Sequence, residues 1–425
     1  MAFTIVSRAV RIVARAGKMI AVPDSPGALD SVRVLDLATY LAAPVCATLL
    51  GEFGAEVIKV EQPRVGDDLR RLGRAAGPDA GGSYWWFVES RNKKSITCNL
   101  RDPEGQALIR RLVAESHVLT ENFRPGTLER WNLGWEALSA IRRSLVMVRI
   151  SAFGQTGPSR ERPGFGRIAA AVGGLAYLSG YPDRPPVSPG TPTVPDYLAG
   201  VFGAVGALVA LRHAERTGEG QVVDLALYEP VLRVLDDAIA VYGATGHVRE
   251  RIGSGTESAV PHNHFLTRDG RWIAIACTND RMFARLLQAM GRTDLTGDPR
   301  MATTPARLAH RALVDELVAG WVAAREASQA LAALEAAEVP SSLVASVRDL
   351  FEDAHVRARE NIVSVALPLL GRLAMPGVVP RLTLTPGRID AAGPSRPGEH
   401  NEEIYGARLG LSREALARLA ERGVI

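Results

Sequence analysis

One acidic residue stands alone in a long apolar stretch of this 425-residue chain. The segment TVPDYLAGVFGAVGALVALRHAER contains Asp196 and then no Lys, Arg, Asp or Glu until Arg212. A carboxylate at the start of a helix can cap it by accepting backbone N–H bonds. A carboxylate can also act as a covalent nucleophile towards an activated acyl group. The residues by themselves leave both interpretations of Asp196 open.

The other residue types that carry chemistry are few or scattered. The three cysteines form no CxxC pair, so we expect them to be reduced and buried. His262 and His264 form a close pair, but no HExxH or comparable spacing is present, and we expect no metal site. Fifty Lys and Arg residues against 46 Asp and Glu give a net charge of +4, with no basic cluster interleaved with aromatic residues. We therefore expect no nucleic-acid partner.

A strand–helix–strand unit is predicted near the beginning of the chain. Residues 32–37 form a short apolar run, Pro44 lies near the start of the next helix, and 56–60 form a second strand. Strands joined in this way pair in parallel through a right-handed crossover. Strand and helix patterns alternate up to Ser151, without a GxGxxG fingerprint. The pattern predicts an α/β fold whose ligands bind beyond the carboxyl ends of the strands.

The second half of the chain predicts a smaller lobe. A Pro- and Gly-rich segment at 158–195 precedes the apolar helix, a hairpin with Asp269 and Gly270 as its turn follows, and helices fill 281–335. No run of about 20 apolar residues appears, so we expect no membrane span. The predicted organisation is an N-terminal extension at 1–30, a large domain at 31–224, a small domain at 225–330, and a C-terminal segment at 331–425 that returns to the large domain.

Seven sequence blocks, in the same order, resemble one enzyme family. They are VLDLATYLAAP, LGEFGAEVIKVEQPRVGDDLR, RNKKSITCNL, ENFRPGTLERWNLGWEAL, SAFGQTGP, ERTGEGQVVDLAL and PGEHNEEI. From about residue 31 to residue 425 the chain is similar to the class III CoA-transferases, which include formyl-CoA:oxalate and carnitine CoA-transferases. The resemblance implies a Rossmann-like large domain, a smaller α+β domain and an interlocked homodimer.

The resemblance also implies a chemistry for Asp196. In this family the nucleophile is an Asp just before the helix that precedes the R-x-TG-x-GQ block. The Asp196 carboxylate is then expected to attack an acyl-CoA thioester, giving an aspartyl anhydride and next an aspartyl-CoA thioester, which a carboxylic acid acceptor resolves. Coenzyme A is a substrate in this scheme, and no permanently bound cofactor is expected. Succinyl-CoA with a small dicarboxylic acid is the first expected pairing.

The family motifs imply where coenzyme A is held. Basic side chains suit its phosphates, and an aromatic or apolar loop suits adenine and pantetheine. The candidate contacts are Tyr40, Leu41, Ala42, Arg64, Lys93, Asn122, Phe123 and Arg130. The resemblance further implies a lid over the nucleophile, for which the loop at 253–258, with Gly253 and Gly255, is the candidate.

Two alternative functions stay open. An α-methylacyl-CoA racemase moves a proton between two acid/base groups. Related racemases carry a His–Asp pair where this chain has Phe165 and Gly166, and no histidine lies between His117 and His213. The other alternative is a catalytically silent CoA-binding protein. The expected location is the bacterial cytoplasm, with the mitochondrial matrix as the alternative.

Overall fold

The structure is a computed structural model that describes residues 11–15, 18–22, 26–367 and 371–425. The strands are, in chain order, Arg11–Arg15 (β1), Lys18–Val22 (β2), Arg33–Asp36 (β3), Glu56–Glu61 (β4), Lys93–Thr97 (β5), Val118–Glu121 (β6), Val146–Ser151 (β7), Val222–Ala226 (β8), His262–Leu266 (β9), Trp272–Ala276 (β10), Ser341–Leu343 (β11), Ile362–Leu367 (β12) and Gly371–Pro376 (β13).

The α-helices are, in chain order, Ala42–Glu52 (α1), Tyr84–Glu89 (α2), Pro103–Val113 (α3), Thr127–Arg130 (α4), Trp135–Ser139 (α5), Gly166–Val172 (α6), Leu175–Leu178 (α7), Val194–Thr217 (α8), Glu229–Arg233 (α9), Ala238–Thr245 (α10), Asp280–Ala289 (α11), Thr304–Ala309 (α12), Arg311–Ala323 (α13), Ala327–Ala336 (α14), Val347–Glu352 (α15), Ala354–Ala358 (α16) and Arg413–Glu421 (α17). Short 3₁₀ segments lie at Asp68–Arg71 and Thr293–Leu295, and a π-helical segment lies at Glu402–Arg408.

Half of the predicted N-terminal extension, 1–30, lies outside the described residues. Within it, the backbones of β1 and β2 pair antiparallel, with Arg11 opposite Val22. The extension therefore stays a prediction.

A six-stranded parallel sheet forms the centre of the first compact unit. Its strand order is β5-β4-β3-β6-β7-β8, and every neighbouring pair is parallel. Successive side chains of a strand point to opposite faces: Val34 joins a core with α1 and α8, and Leu35 joins a core with α3 and the C-terminal helix. The predicted α/β fold and the β3-α1-β4 unit are confirmed.

A second compact unit comprises residues 175–189 and 237–358, and the first takes in the described residues up to 174 with 190–236 and 359–425. The second unit is built on the antiparallel sheet β11-β10-β9, covered by α11, α13 and α14. Its limits differ from the predicted small domain, 225–330. At one end β8 completes the large sheet, and at the other β11 pairs with β10, so the chain leaves this unit later than predicted.

Helix α8 is the central helix of the first unit. It packs against α1 and β7, and a Cβ at Gly200 would lie 2.6 Å from Val45 Cγ1 and 3.0 Å from the Ala42 carbonyl oxygen. The lack of a side chain at Gly200 therefore permits this close packing. Contrary to the sequence expectation, the 24-residue helix is long and apolar enough to cross a membrane by length and composition alone. Half of its apolar window is buried in protein, and a core helix passes the same test.

Candidate active site

Asp196 lies in the first turn of α8 as a buried carboxylate. Thr193 is the N-cap residue and Val194 the first helical residue, so the capping interpretation of Asp196 is wrong. The residue is 9% exposed, and burial raises the pKa of its carboxyl group to about 7, with its own backbone N–H opposing the shift. No Lys, Arg or His in the described part of the chain forms an ion pair with it. Asp196 is therefore a desolvated acid without a compensating cation.

The next residue anchors this turn to α2. The Tyr197 hydroxyl accepts a hydrogen bond from Trp85 Nε1 at 3.0 Å and donates one to Glu89 Oε1 at 3.0 Å. The Tyr197 N–H donates to the Thr193 carbonyl at 3.1 Å. Two side chains of α2 therefore hold the first turn of α8 in place.

A groove of about 430 Å³ opens beyond the carboxyl ends of β3, β4, β5 and β6. Each of these strands contributes the residues that follow it, as expected for a parallel sheet. Two predicted contacts, Arg64 and Phe123, line the groove. Its other polar or aromatic lining residues are Thr39, Glu61, Gln62, Asn99, Arg101, Trp131 and Arg422.

Two groove arginines, Arg101 and Arg422, were not predicted. The Arg101 guanidinium lies 5.9 Å from the centre of the Trp131 ring. Arg422 forms a 2.6 Å ion pair with Glu104, and Arg64 donates to the Glu421 carbonyl at 3.1 Å. Arg101 comes soon after β5, so the strand-end rule could have found it. Arg422 follows α17, which packs on the first unit, and so lies at the groove. The sequence around Arg422 does not indicate this position.

An aromatic contact connects the edge of the groove to α6. Tyr40 follows Thr39, and its ring lies 5.8 Å from the Phe165 ring in an edge-to-face arrangement at 69°. Phe165 is the N-cap residue of α6. Tyr40 itself has a positive φ of 62°, and its N–H donates to Asp67 Oδ1 at 3.2 Å. The contact between the Tyr40 and Phe165 rings thus links the groove to the start of α6. The next residue, Gly166, lies beside Asp196.

The remaining predicted contacts occupy different environments. Asn122 ties two strand ends together, since its Oδ1 accepts from Thr39 N–H at 2.8 Å and its Nδ2 donates to Thr39 O at 2.6 Å. Leu41 and Ala42 are buried at the start of α1. Arg130 is exposed, donates to Thr127 Oγ1 at 3.0 Å and lies outside the groove lining.

Lys93 lies in the core of the protein. Its Nζ is 2.9 Å from Asp36 Oδ2 and 2.7 Å from the Pro44 carbonyl oxygen. Lys59 Nζ is 4.0 Å from the same Asp36 oxygen and 2.9 Å from Asp67 Oδ2. The Lys93 ammonium is therefore engaged by a buried carboxylate, which argues against its predicted contact with a phosphate.

The lid candidate belongs to the second unit. Gly253 has a φ of +74°, and a Cβ there would lie 2.5 Å from Tyr181 Cε1. Its N–H donates to the Gly180 carbonyl at 2.9 Å, and Arg311 donates to the Thr256 carbonyl at 2.5 Å. A Cβ at Gly255 would meet Arg311 at 3.3 Å. These contacts hold the loop within its own unit, and its function as a lid stays a prediction.

The described residues contain no group of three or more His, Cys, Asp or Glu side chains arranged to hold a metal ion. Cys46, Cys98 and Cys277 are free and buried, as predicted. Burial raises the pKa of each thiol to about 12, so the thiols stay protonated at neutral pH and are weak nucleophiles.

Comparisons with known proteins show the family of the chain. A sequence profile of CoA-transferase family III matches residues 29–401. The beta subunit of a succinyl-CoA–L-malate CoA-transferase from Chloroflexus aurantiacus is 49% identical over 399 residues, covering 93% of this chain and 98% of that protein. A succinyl-CoA–D-citramalate CoA-transferase from the same bacterium is 48% identical over 400 residues, covering 94% and 98%. The crystal structure of a CAIB/BAIF family protein from Brucella suis superposes with a TM-score of 0.80 at 33% identity, covering 90% and 100%.

Proposed function

This chain belongs to CoA-transferase family III, and from that premise we propose that it moves CoA from succinyl-CoA to a small carboxylic acid with Asp196 as the nucleophile. The observation that carries the assignment of Asp196 is its burial without a cation in the first turn of α8. A carboxyl group with a pKa near 7 is a stronger base, and a better nucleophile once ionised, than an exposed aspartate. At a pKa of about 7, roughly half of the Asp196 carboxyl groups are ionised at pH 7.

The first half of the reaction transfers CoA to the protein. A carboxylate oxygen of Asp196 attacks the thioester carbonyl of the donor, the C–S bond breaks, and CoA leaves as its thiolate. The thiolate then attacks the aspartyl carbonyl of the resulting anhydride. This step expels the donor acid as its carboxylate and leaves an aspartyl-CoA thioester.

The second half repeats these steps in reverse with the acceptor. The acceptor carboxylate attacks the aspartyl-CoA thioester, forming a new anhydride and releasing the thiolate. Attack of the thiolate on the acceptor acyl carbonyl gives the new acyl-CoA and restores the Asp196 carboxylate. No net proton is gained or lost. Burial of Asp196 supports this route because an anhydride exposed to water would hydrolyse.

The groove offers a chemically suitable site for the CoA nucleotide. Arg64, Arg101 and Arg422 present guanidinium groups, which bind phosphate oxygens in a bidentate manner. Phe123 and Trp131 pack edge to face at 5.3 Å in the same groove, and such a pair can stack an adenine ring. The proposed phosphate contacts are therefore Arg64, Arg101 and Arg422, with the aromatic pair as the proposed adenine contact.

The relatives support the choice of substrates. The two Chloroflexus aurantiacus enzymes named above use succinyl-CoA with L-malate or D-citramalate. Both acceptors are dicarboxylic acids with a hydroxyl group. We accordingly propose a hydroxylated dicarboxylic acid as the acceptor here, rather than the oxalate or carnitine substrates of the enzymes that the sequence blocks first suggested.

The proposed assembly is a dimer of two copies of this chain. One face of α8 supports it, because a stripe of large apolar side chains there is exposed: Val201, Phe202, Val205, Leu208 and Val209. An apolar helix face of this kind is typical of a protein interface. One relative is a beta subunit, so a related second chain is the alternative partner. Light scattering of the purified protein distinguishes a dimer from a monomer that requires another chain.

An exchange assay tests the proposed activity. The protein is incubated with succinyl-CoA and a panel of dicarboxylic acids, and the acyl-CoA products are identified by mass spectrometry alongside Asp196→Ala. We expect a new acyl-CoA with a hydroxylated dicarboxylate and none with the variant. Incorporation of deuterium from D₂O into a 2-methylacyl-CoA, without exchange, would support the racemase alternative. CoA binding with neither reaction would support the silent binding protein.

A further inference from the structure

Gly166 and the Asp196 carboxylate compete for the same space. A Cβ built on Gly166 would lie 1.9 Å from Asp196 Oδ2, 3.0 Å from Asp196 Cγ and 2.8 Å from the Pro192 carbonyl oxygen. Separations this short do not occur between non-bonded heavy atoms. The Asp196 carboxylate therefore occupies the position that a side chain at residue 166 would take.

The backbone conformation does not explain the glycine. Gly166 does not have the positive φ at which an L-residue is strained. It is also the first residue of α6, a position that most residue types can occupy. The short distances to Asp196 Oδ2 and to the Pro192 carbonyl oxygen are thus the features that demand a glycine at this position, and the distance to Oδ2 is the shorter of the two.

Hydrogen bonds and packing contacts hold the backbone on both sides. The Phe165 carbonyl accepts from the N–H groups of Ile168 and Ala169 at 2.9 and 3.0 Å, and the Phe165 ring packs on Tyr40. Ala169 and Ala170 of α6 are buried. On the other side, Tyr197 anchors the first turn of α8 as described above. A side chain at residue 166 would therefore force the Asp196 carboxylate into a different rotamer.

We propose that Gly166 is a positioning residue for the nucleophile: the absence of a side chain there sets the rotamer from which the Asp196 carboxylate attacks the thioester. This inference rests on the proposed role of Asp196. A nucleophile displaced by about 1 Å loses roughly 100-fold in rate, because the reacting atoms no longer meet at bonding distance and angle. An acidic side chain at residue 166 would add a second effect, since two neighbouring carboxylates do not both ionise readily.

The test compares Gly166→Ala with a matched glycine. Gly320 lies in α13, has no positive φ and has nothing within 4 Å of its Cβ position, so Gly320→Ala controls for the added methyl group. We expect Gly166→Ala to lower kcat for CoA exchange by about 100-fold with KM for succinyl-CoA nearly unchanged. In intact-mass spectra the covalent CoA adduct of the protein should form correspondingly slowly. Gly320→Ala should behave like the wild type.

A double-variant cycle separates positioning from a general loss of structure. If the clash is with the Asp196 carboxylate, Gly166→Ala lowers Tm less in the Asp196→Ala background than in the wild type. Equal Tm losses in both backgrounds, or full exchange activity in Gly166→Ala, would overturn the inference while leaving Asp196 as the nucleophile. A wild-type protein that forms neither a new acyl-CoA nor a CoA adduct would instead refute the proposed function.

Discussion

Two buried aspartates of the same unit have opposite surroundings. Asp36, at the end of β3, is fully buried and surrounded by Lys93 Nζ at 2.9 Å, Lys59 Nζ at 4.0 Å and Thr120 Oγ1 at 3.0 Å. Burial acts to raise the pKa of Asp36, but the two ammonium groups hold it below its ordinary value. Asp196 has no such cation, so burial alone raises its pKa to about 7. Burial by itself therefore does not decide whether an aspartate is structural or reactive; its partners do.

The difference has an energetic consequence. Forming a buried ion pair is close to neutral overall, because the loss of hydration offsets the attraction, whereas removing one partner leaves an uncompensated charge. The Asp36 network thus depends on all its members for stability. Ionising Asp196 destabilises the folded protein, because no cation offsets the loss of hydration. In the proposed reaction the same lack of a cation makes the carboxylate a stronger nucleophile. Changes at Asp196 should therefore act mainly on exchange activity, and changes around Asp36 mainly on the free energy of unfolding.

The largest effect is expected from Asp196→Asn. Asparagine has nearly the same shape but cannot form the anhydride, so exchange activity should fall by roughly 1,000-fold or more. At pH 8 the variant should also be more stable by roughly 2 to 4 kcal/mol, since it no longer ionises a buried group. Exchange kinetics and urea denaturation measure the two quantities. A stable variant that retained wild-type activity would place Asp196 with Asp36 among the structural aspartates.

Lys93→Met tests the other side of the comparison. The substitution leaves the Asp36 carboxylate without its nearest cation, so we expect the free energy of unfolding to fall by about 3 to 5 kcal/mol. CoA affinity of the folded fraction should change little, because the ammonium group lies in the core.

The control for this variant is Lys94→Met on the same strand. Lys94 is only partly buried and forms ion pairs with Glu56 at 2.9 Å and Glu403 at 2.6 Å, so its loss should cost less than about 1 kcal/mol. If Lys93→Met were as stable as the wild type and bound CoA weakly, the contact predicted from the sequence would be correct and the comparison would fail.

The pH dependence should follow Asp196 and not Asp36. The nucleophile must be ionised, so kcat/KM should rise with pH and level off above about 7, falling roughly tenfold for each unit below. Because the folded state holds this proton more tightly than the unfolded state, the contribution of Asp196 to stability falls as pH rises from 3.8 to about 7. Asp196→Asn should abolish that decrease in stability. A kcat/KM that is flat between pH 5 and 8 would contradict the raised pKa.

The sequence was most informative where local pattern and position coincide. Strand and helix periodicity predicted the parallel sheet. Motif resemblance selected Arg64 and Phe123, which both line the groove, and their contact with coenzyme A stays a prediction. The sequence did not indicate that the Lys93 ammonium group contacts Asp36, because the residue type alone does not show whether such a group faces the solvent or a buried carboxylate. Arg422 was out of reach, since it lies more than 300 residues from Arg101 along the chain and beyond the 29–401 match to the family.

The length of α8 and the space at Gly166 were missed for a related reason. The sequence TVPDYLAG favours a helix start at Asp196, but Pro195 is accommodated within the first turn, so the helix begins earlier. A glycine in PGFGRI looks like an ordinary turn residue. Its role depends on the Oδ2 atom of a residue 30 positions later, which no local pattern records.

Two cations of the first unit, Lys93 and Arg101, show the same contrast between a paired and an unpaired charge. Removing the unpaired cation should have the smallest effect of the changes considered. Lys93 is matched by Asp36, whereas Arg101 forms no ion pair within the described residues and projects over Trp131 in the groove. A charged hydrogen bond to a phosphate is worth about 1.5 to 3 kcal/mol, so Arg101→Ala should raise KM for succinyl-CoA by at least about tenfold. The value of kcat should not change, because the phosphates stay remote from the reacting carbonyl and contribute equally to ground and transition states.

Arg130→Ala is the matched control, since Arg130 is an exposed arginine outside the groove lining. Its KM should stay within about twofold of the wild type, as for a solvated surface charge. Raising the salt concentration should reduce the difference between the two variants, because screening weakens the contribution that only Arg101 makes. Equal KM values for Arg101→Ala and Arg130→Ala would mean that the nucleotide of CoA binds outside this groove. The proposed role of Asp196 as the nucleophile would not be affected.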